Sequence, residues 1–169
     1  MAYNSTSVPV DKSQAGIRDL LKKFGAEGFS FTEGKRLSPE TGKEHRVAST
    51  QFLHRGQQVR MMVELKMPDP KAIDAMARRA RTRSKADILD DELVQEERRI
   101  WRVLFHTIKA RLVAVEEHVE TFEQAFLAHL IDPSTGRTLY ESMAPAIDAG
   151  AFRIGGEGMR ALPAPQGGR

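Results

Sequence analysis

The sequence feature that most constrains the fold is a long amphipathic stretch from Asp90 to His118. Apolar residues recur along it at close to the 3.6-residue period of an α-helix. The apolar positions are Leu93, Ile100, Trp101, Leu104, Phe105, Ile108, Leu112, Val115 and Val119. A helix with one apolar face has to bury that face against other elements. The pattern therefore predicts one continuous helix, the longest in the chain, with Trp101 in the core. The expected neighbours of the Trp101 ring are Phe24, Phe29 or Phe31.

Three strands are predicted before this helix. The clearest runs from Val59 to Lys66, where apolar and polar residues alternate and the apolar set should face the core. That set is Val59, Met61, Val63 and Leu65, with Arg60 and Glu64 on the opposite face. The other two strands lie around Phe29–Phe31 and from His45 to His54, separated by an exposed charged loop over Lys35–Glu44. Arg55-Gly56 is typical of a tight turn between the second and third strands.

Four shorter helices complete the pattern. The first begins at Asp11, which forms a capping-box pattern with Gln14, and it ends at Gly25. The second begins at Pro70 with Asp69 as its N-cap. The remaining two are predicted from Thr121 to Ile131 and from Glu141 to Ala149.

The order of these elements predicts an α+β fold. Its sheet is a small three-stranded antiparallel meander packed by helices, and the long helix is central. A length of 169 residues suits one domain. We expect that domain over residues 1–152, with an αβββ part at 8–67 and a helical part at 68–152. The Gly- and Pro-rich tail at 153–169 is expected to be flexible.

Composition and local motifs narrow the function classes. The chain has no cysteine, which excludes disulfides, thiolate metal sites and cysteine nucleophiles. No apolar run approaches the ~20 residues of a membrane helix, and the polar start indicates a cytoplasmic protein. The histidines form no HxH or HxxxH pair, and no nucleophile or phosphate-loop motif is present. We therefore expect no metal, no cofactor, no catalytic residue and no enzymatic activity.

Charge is distributed in alternating blocks. The segment from Lys71 to Lys85 contains 6 basic residues and one acid, Asp74, and Asp87–Glu97 then contains 6 acids and no base. The densest basic run is predicted to be a loop between helices, formed around Arg78, Arg79, Arg81, Arg83 and Lys85. On the long helix, Arg98, Arg102 and Lys109 share one face and extend the basic surface.

Two interpretations of the basic run are open. Five clustered cations can bind nucleic-acid phosphates and release counterions. Alternatively, the six acids of Asp87–Glu97 neutralise them within the chain. In the first interpretation, Arg98 and Arg102 belong to a phosphate-binding surface. In the second, the basic run is solvated and forms ion pairs with the acids of Asp87–Glu97 within the chain.

Three segments carry a resemblance to known proteins. They are VPVDKSQAGIRDLLKKFGA, FLHRGQQVRMMVEL and WRVLFHTIKARLVAVEEHVETFEQAFLAHL. Over roughly residues 8–147 the chain resembles a group of small uncharacterised bacteriophage and prophage proteins. No established activity is attached to that group, so the resemblance implies a phage-like context and no mechanism.

These observations favour a non-enzymatic, nucleic-acid-associated accessory protein of a phage-like element. The alternative is a protein-interaction module, such as a host-factor binder, an inhibitor or an assembly subunit. In that case the charge blocks would form an electrostatic interface with a partner protein or with a second copy of the chain. The sequence does not distinguish DNA from RNA.

Overall fold

The structure is a computed structural model that describes Tyr3 and residues 5–37, 42, 44–80 and 82–150. The chain folds as predicted into an α+β arrangement of a three-stranded antiparallel sheet and five α-helices within these residues. The elements are α1 (Val10–Phe24), β1 (Gly28–Leu37), β2 (Glu44–His54), β3 (Gln57–Leu65), α2 (Pro70–Arg79), α3 (Lys85–Glu116), α4 (Phe122–Phe126), a short 3₁₀ turn (Leu127–His129) and α5 (Leu139–Asp148).

The sheet is a simple meander in the order β1-β2-β3. The turn between β2 and β3 has positive φ at both Arg55 (49°) and Gly56 (74°), the geometry of a two-residue turn that matches strand twist. Strands β1 and β2 are longer than expected, because β1 continues to Leu37 and β2 already begins at Glu44. The predicted charged loop is therefore shorter, and most of it lies outside the described residues.

Strand β3 presents the predicted apolar face to the core. Val59, Met61 and Leu65 are buried, Val63 is partly buried and packs on the same core, and Glu64 is exposed. The predicted register is therefore confirmed.

Helix α3 is continuous and the longest of the described elements, as predicted. Its core-facing side chains are Ile88, Ile100, Trp101, Leu104, Ile108 and Leu112. The helix begins five residues earlier than expected, at Lys85, because Ser84 and Asp87 form a reciprocal capping box. It ends at Glu116, so Val119 lies beyond the helix with 75% of its surface exposed, and its assignment to the apolar stripe is wrong.

Trp101 occupies the centre of the core, where it is fully buried. Its ring meets Phe31 edge-to-face at 5.6 Å, which confirms one of the predicted neighbours. The indole Nε1–H donates to Glu33 Oε1 at 2.6 Å, so the polar atom of this buried ring is satisfied.

Two of the shorter helices differ from expectation. Helix α1 ends at Gly25 (φ 85°) as predicted, but its N-cap is Pro9, and Asp11 lies inside the first turn without a capping contact. The helix predicted from Thr121 to Ile131 ends early, although its Thr121 capping box is present. Leu130 instead forms a β-bridge with Val59, on the free edge of β3. The predicted tail at 153–169 lies outside the described residues.

Candidate nucleic-acid interface

The basic run occupies a junction between two helices. Arg78 and Arg79 form the last turn of α2, where cations interact favourably with the helix dipole, and Lys85 is the first residue of α3. The predicted loop is therefore limited to residues 80–84, and Arg81 lies outside the described residues. We call Arg78, Arg79, Arg83 and Lys85 the junction cluster.

The junction cluster is largely paired within the chain. Lys85 Nζ lies 2.5 Å from Asp74 Oδ1, and its hydrogen bond lowers the pKa of Asp74. Arg83 forms an ion pair with Asp91. Arg78 Nε donates to the Asp74 carbonyl oxygen at 3.2 Å. Within the described part of the chain, Arg79 alone of the four has no polar partner. These contacts favour internal neutralisation of the cluster, although each is solvent-exposed and so contributes little to stability.

Arg98 and Arg102 do not join the junction cluster in one surface. They follow Lys85 by 13 and 17 residues on the same helix, which at 1.5 Å per residue places them about 20 and 25 Å away along its axis. The two predicted groups of phosphate-binding residues are therefore separate sites.

A second basic surface lies along the middle of α3. Arg98, Arg102 and Lys109 share a face of the helix, and we call these three residues the α3 ridge. The Arg102 guanidinium lies over the Phe105 ring at 4.9 Å from its centroid. None of the three is in an ion pair with a described carboxylate. The ridge is thus less neutralised than the junction cluster.

Helix α1 borders the α3 ridge. A Cβ on Gly16 would lie 2.7 Å from Phe105 Cε2, so the two helices approach as closely as a glycine allows. The helices run parallel, because further along the same side Lys23 Nζ lies 4.0 Å from Glu116 Oε1. Lys12 and Lys23 share the helix face of Gly16, and Lys12 extends the positive charge onto α1, whereas Lys23 is paired with Glu116. Asp19 is the one acid on this face of α1.

The N-terminal segment lies across α3 beside the ridge. Gln95 Nε2 donates to the Thr6 carbonyl oxygen at 3.0 Å. The Tyr3 ring stacks on His106 with 5.0 Å between centroids and 6° between planes. Burial lowers the pKa of His106, and the charges of Arg102 and Lys109 lower it further. Both effects favour the neutral imidazole. Sequence reasoning missed this contact because no local pattern links Tyr3 to a residue 103 positions later.

A cleft of about 470 Å³ lies at the far end of α3. One of the two histidines that line it, His54, is packed between the rings of Phe24 and Phe122, with centroids at 4.7 and 4.8 Å. Its Nδ1 lies 3.4 Å from the Gly25 carbonyl oxygen. These contacts assign His54 to the aromatic core, and it has no carboxylate partner in this part of the structure.

Comparison with known proteins adds no assignment. No protein-family model, curated protein or solved structure matches this chain. Within the described residues, no three His, Asp or Glu side chains are grouped closely enough to hold a metal ion. No helix in those same ranges is both long enough and apolar enough to cross a membrane.

Proposed function

We propose that the protein is a non-enzymatic nucleic-acid-binding protein whose α3 ridge contacts phosphates. The observation that carries the proposal is the alignment of Arg98, Arg102 and Lys109 on one helix face without carboxylate partners among the described residues. The junction cluster contributes less to this binding, because three of its cations already have partners within the chain. The resemblance to phage and prophage proteins supports a role in the cytoplasm as an accessory factor of a phage-like element.

The chemistry is electrostatic and independent of base sequence. Each cation that meets a phosphate of a duplex releases counterions and contributes about 0.9 to the slope of log affinity against log salt. Three ridge contacts therefore predict a slope of at least about 2–3 from this surface alone. Lys12 on the neighbouring helix adds positive potential on the same side.

The test compares two triple variants by fluorescence anisotropy with labelled DNA and RNA over a range of salt. Replacing Arg98, Arg102 and Lys109 by alanine should weaken binding by the same factor for every sequence and lower the salt slope by about 2–3. The matched control replaces Arg78, Arg79 and Arg83. It should change the slope by less than about 1, since two of those residues already have partners in the chain.

Stability measurements separate loss of binding from loss of folding. The ridge variant should unfold within about 1–2 kcal/mol of the wild type, because no ion pair among the described residues is lost and the contact of Arg102 with Phe105 contributes about 0.5–1 kcal/mol. The junction variant should have a lower melting temperature in low salt, where Asp91 and its neighbouring acids are least screened. An unchanged affinity and an unchanged slope in the ridge variant would remove the proposal.

A protein-interaction module is the second candidate. The internal pairing of the junction cluster favours it, as do the exposed apolar side chains of Tyr140, Met143 and Ile147 on α5. This function predicts no salt-sensitive retention on heparin or DNA. It also predicts that a partner captured from phage-infected cells remains bound after nuclease treatment, whereas a nucleic-acid tether would be lost.

A further inference from the structure

The Tyr3–His106 pair is a stacked aromatic surface at the edge of the α3 ridge. The two rings are nearly parallel, and 39% of the surface of Tyr3 remains exposed. His106 covers one face of the tyrosine ring. Further stacking on Tyr3 would extend an existing column of parallel rings, an arrangement that aromatic pairs favour.

This surface lies directly beside cations. Arg102 precedes His106 by four residues and Lys109 follows it by three, so both are neighbours of His106 on the helix surface. They lie about 10 Å apart along the helix axis. Burial and these two charges lower the pKa of His106 and so favour its neutral form. The result is a neutral stacking surface flanked by two phosphate-binding groups.

We propose that the protein selects single-stranded nucleic acid, with Tyr3 stacking on an unpaired base while Arg102 and Lys109 contact the adjacent phosphates. This inference rests on the proposed function. Aromatic platforms combined with a basic track are the means by which proteins bind single strands without sequence preference. In a duplex the bases are paired and already stacked on one another, so no base is available to stack on Tyr3.

The experiment measures the binding of Tyr3→Ala and Tyr3→Phe to two probes at one salt concentration. The probes are oligothymidylate of about 15 nucleotides, within the site sizes of known single-strand binders, and a duplex of the same length. Tyr3→Ala should weaken single-strand binding about 5- to 150-fold, the range of one lost stacking contact. Its duplex affinity and its salt slope should be unchanged, because no phosphate contact is removed. Tyr3→Phe, which retains the ring, should bind as the wild type does.

The fluorescence of a second variant reports directly on stacking at position 3. In Tyr3→Trp, an exposed indole replaces the phenol while Trp101 remains fully buried. Oligothymidylate should quench the added emission, and the duplex should not.

The outcomes separate this inference from the proposed function. Equal single-strand affinity of Tyr3→Ala and wild type, or a wild-type preference for the duplex, overturns the inference. The proposed function then stands if the ridge variant still loses binding. A wild-type protein that binds neither probe overturns both.

Discussion

Glu141 connects α5 to the outer face of the sheet, and its charge can be removed without changing its shape. Its carboxylate accepts hydrogen bonds from Arg36 Nη1 at 3.1 Å and Arg60 Nη2 at 2.6 Å. It also accepts from the Thr138 backbone N–H at 2.9 Å, in the capping box that begins α5. Glu141→Gln keeps an acceptor for the cap but removes the negative charge between two arginines.

The magnitude follows from the pKa of the carboxyl group. Burial alone would raise the pKa of Glu141, but the Thr138 N–H, Arg36 and Arg60 together lower it from 4.5 to about 2. That difference corresponds to about 3 kcal/mol in favour of the ionised form. Solvent screens part of it, since the Arg36 side chain is half exposed, and glutamine retains the cap contact. We therefore expect Glu141→Gln to cost about 1–2 kcal/mol at pH 7, or about 3–6 °C in melting temperature.

The pH dependence of unfolding tests whether the negative charge of Glu141 is the source of this stability. A carboxyl group with a lowered folded-state pKa stabilises the protein above its unfolded pKa, and this contribution is lost as pH falls through the folded value. The stability gap between wild type and Glu141→Gln should thus be full above pH 5 and close between about pH 5 and pH 2. Urea unfolding followed by circular dichroism measures it.

The matched control for this charge is Glu44→Gln. Glu44 pairs only with exposed Lys35 at 3.0 Å among the described residues, so its loss should cost less than about 0.5 kcal/mol. A gap for Glu141→Gln that persists at pH 2, or that is no larger than the control, would refute the electrostatic account of how α5 is held.

Two further substitutions test the core. Met61→Lys should destabilise the fold by at least about 3 kcal/mol in urea unfolding, because it places a charge in a packed core, whereas Gln58→Lys on the exposed face of β3 should change stability by less than about 0.5 kcal/mol. Similar costs for the two would contradict the register. Glu33→Ala removes the acceptor of the Trp101 indole N–H and should cost about 1–3 kcal/mol in urea unfolding, because the buried donor is left without a partner. A cost below about 0.5 kcal/mol would mean that the indole N–H finds another partner.

The sequence predicted the elements whose signals are local. The alternation from Val59 to Leu65 and the helical stripe through Trp101 record which side of each element is buried, and both were confirmed. The positive φ at Gly25 and the capping box at Thr121 were likewise readable from a few neighbouring residues.

Long-range pairing could not be read in this way. Arg60 was placed on the correct face of β3 but not with Glu141, which lies 81 residues later and carries no pattern that points to it. The loop predicted at the junction between α2 and α3 is longer than the observed one for a related reason. A run of like charges predicts an extended loop only when no opposite charge lies nearby. Here Asp74 and Asp91, on the two flanking helices, neutralise Lys85 and Arg83. Those pairs, with the Ser84 cap, let helix α3 begin at Lys85.

The close contact between α1 and α3 has a consequence for the order in which the chain assembles. Gly16 and Phe105 are almost 90 residues apart in sequence, whereas the two strand pairings of the sheet join strands that are consecutive along the chain. Joining distant segments costs chain entropy before any contact compensates for it, so the hairpins should form first. Docking of α1 onto α3 then becomes a late step in folding, and it buries Ile17 and Leu21 completely in the core. Because α1 also carries Lys12 beside the α3 ridge, this part of the basic surface is completed only when the two helices have docked.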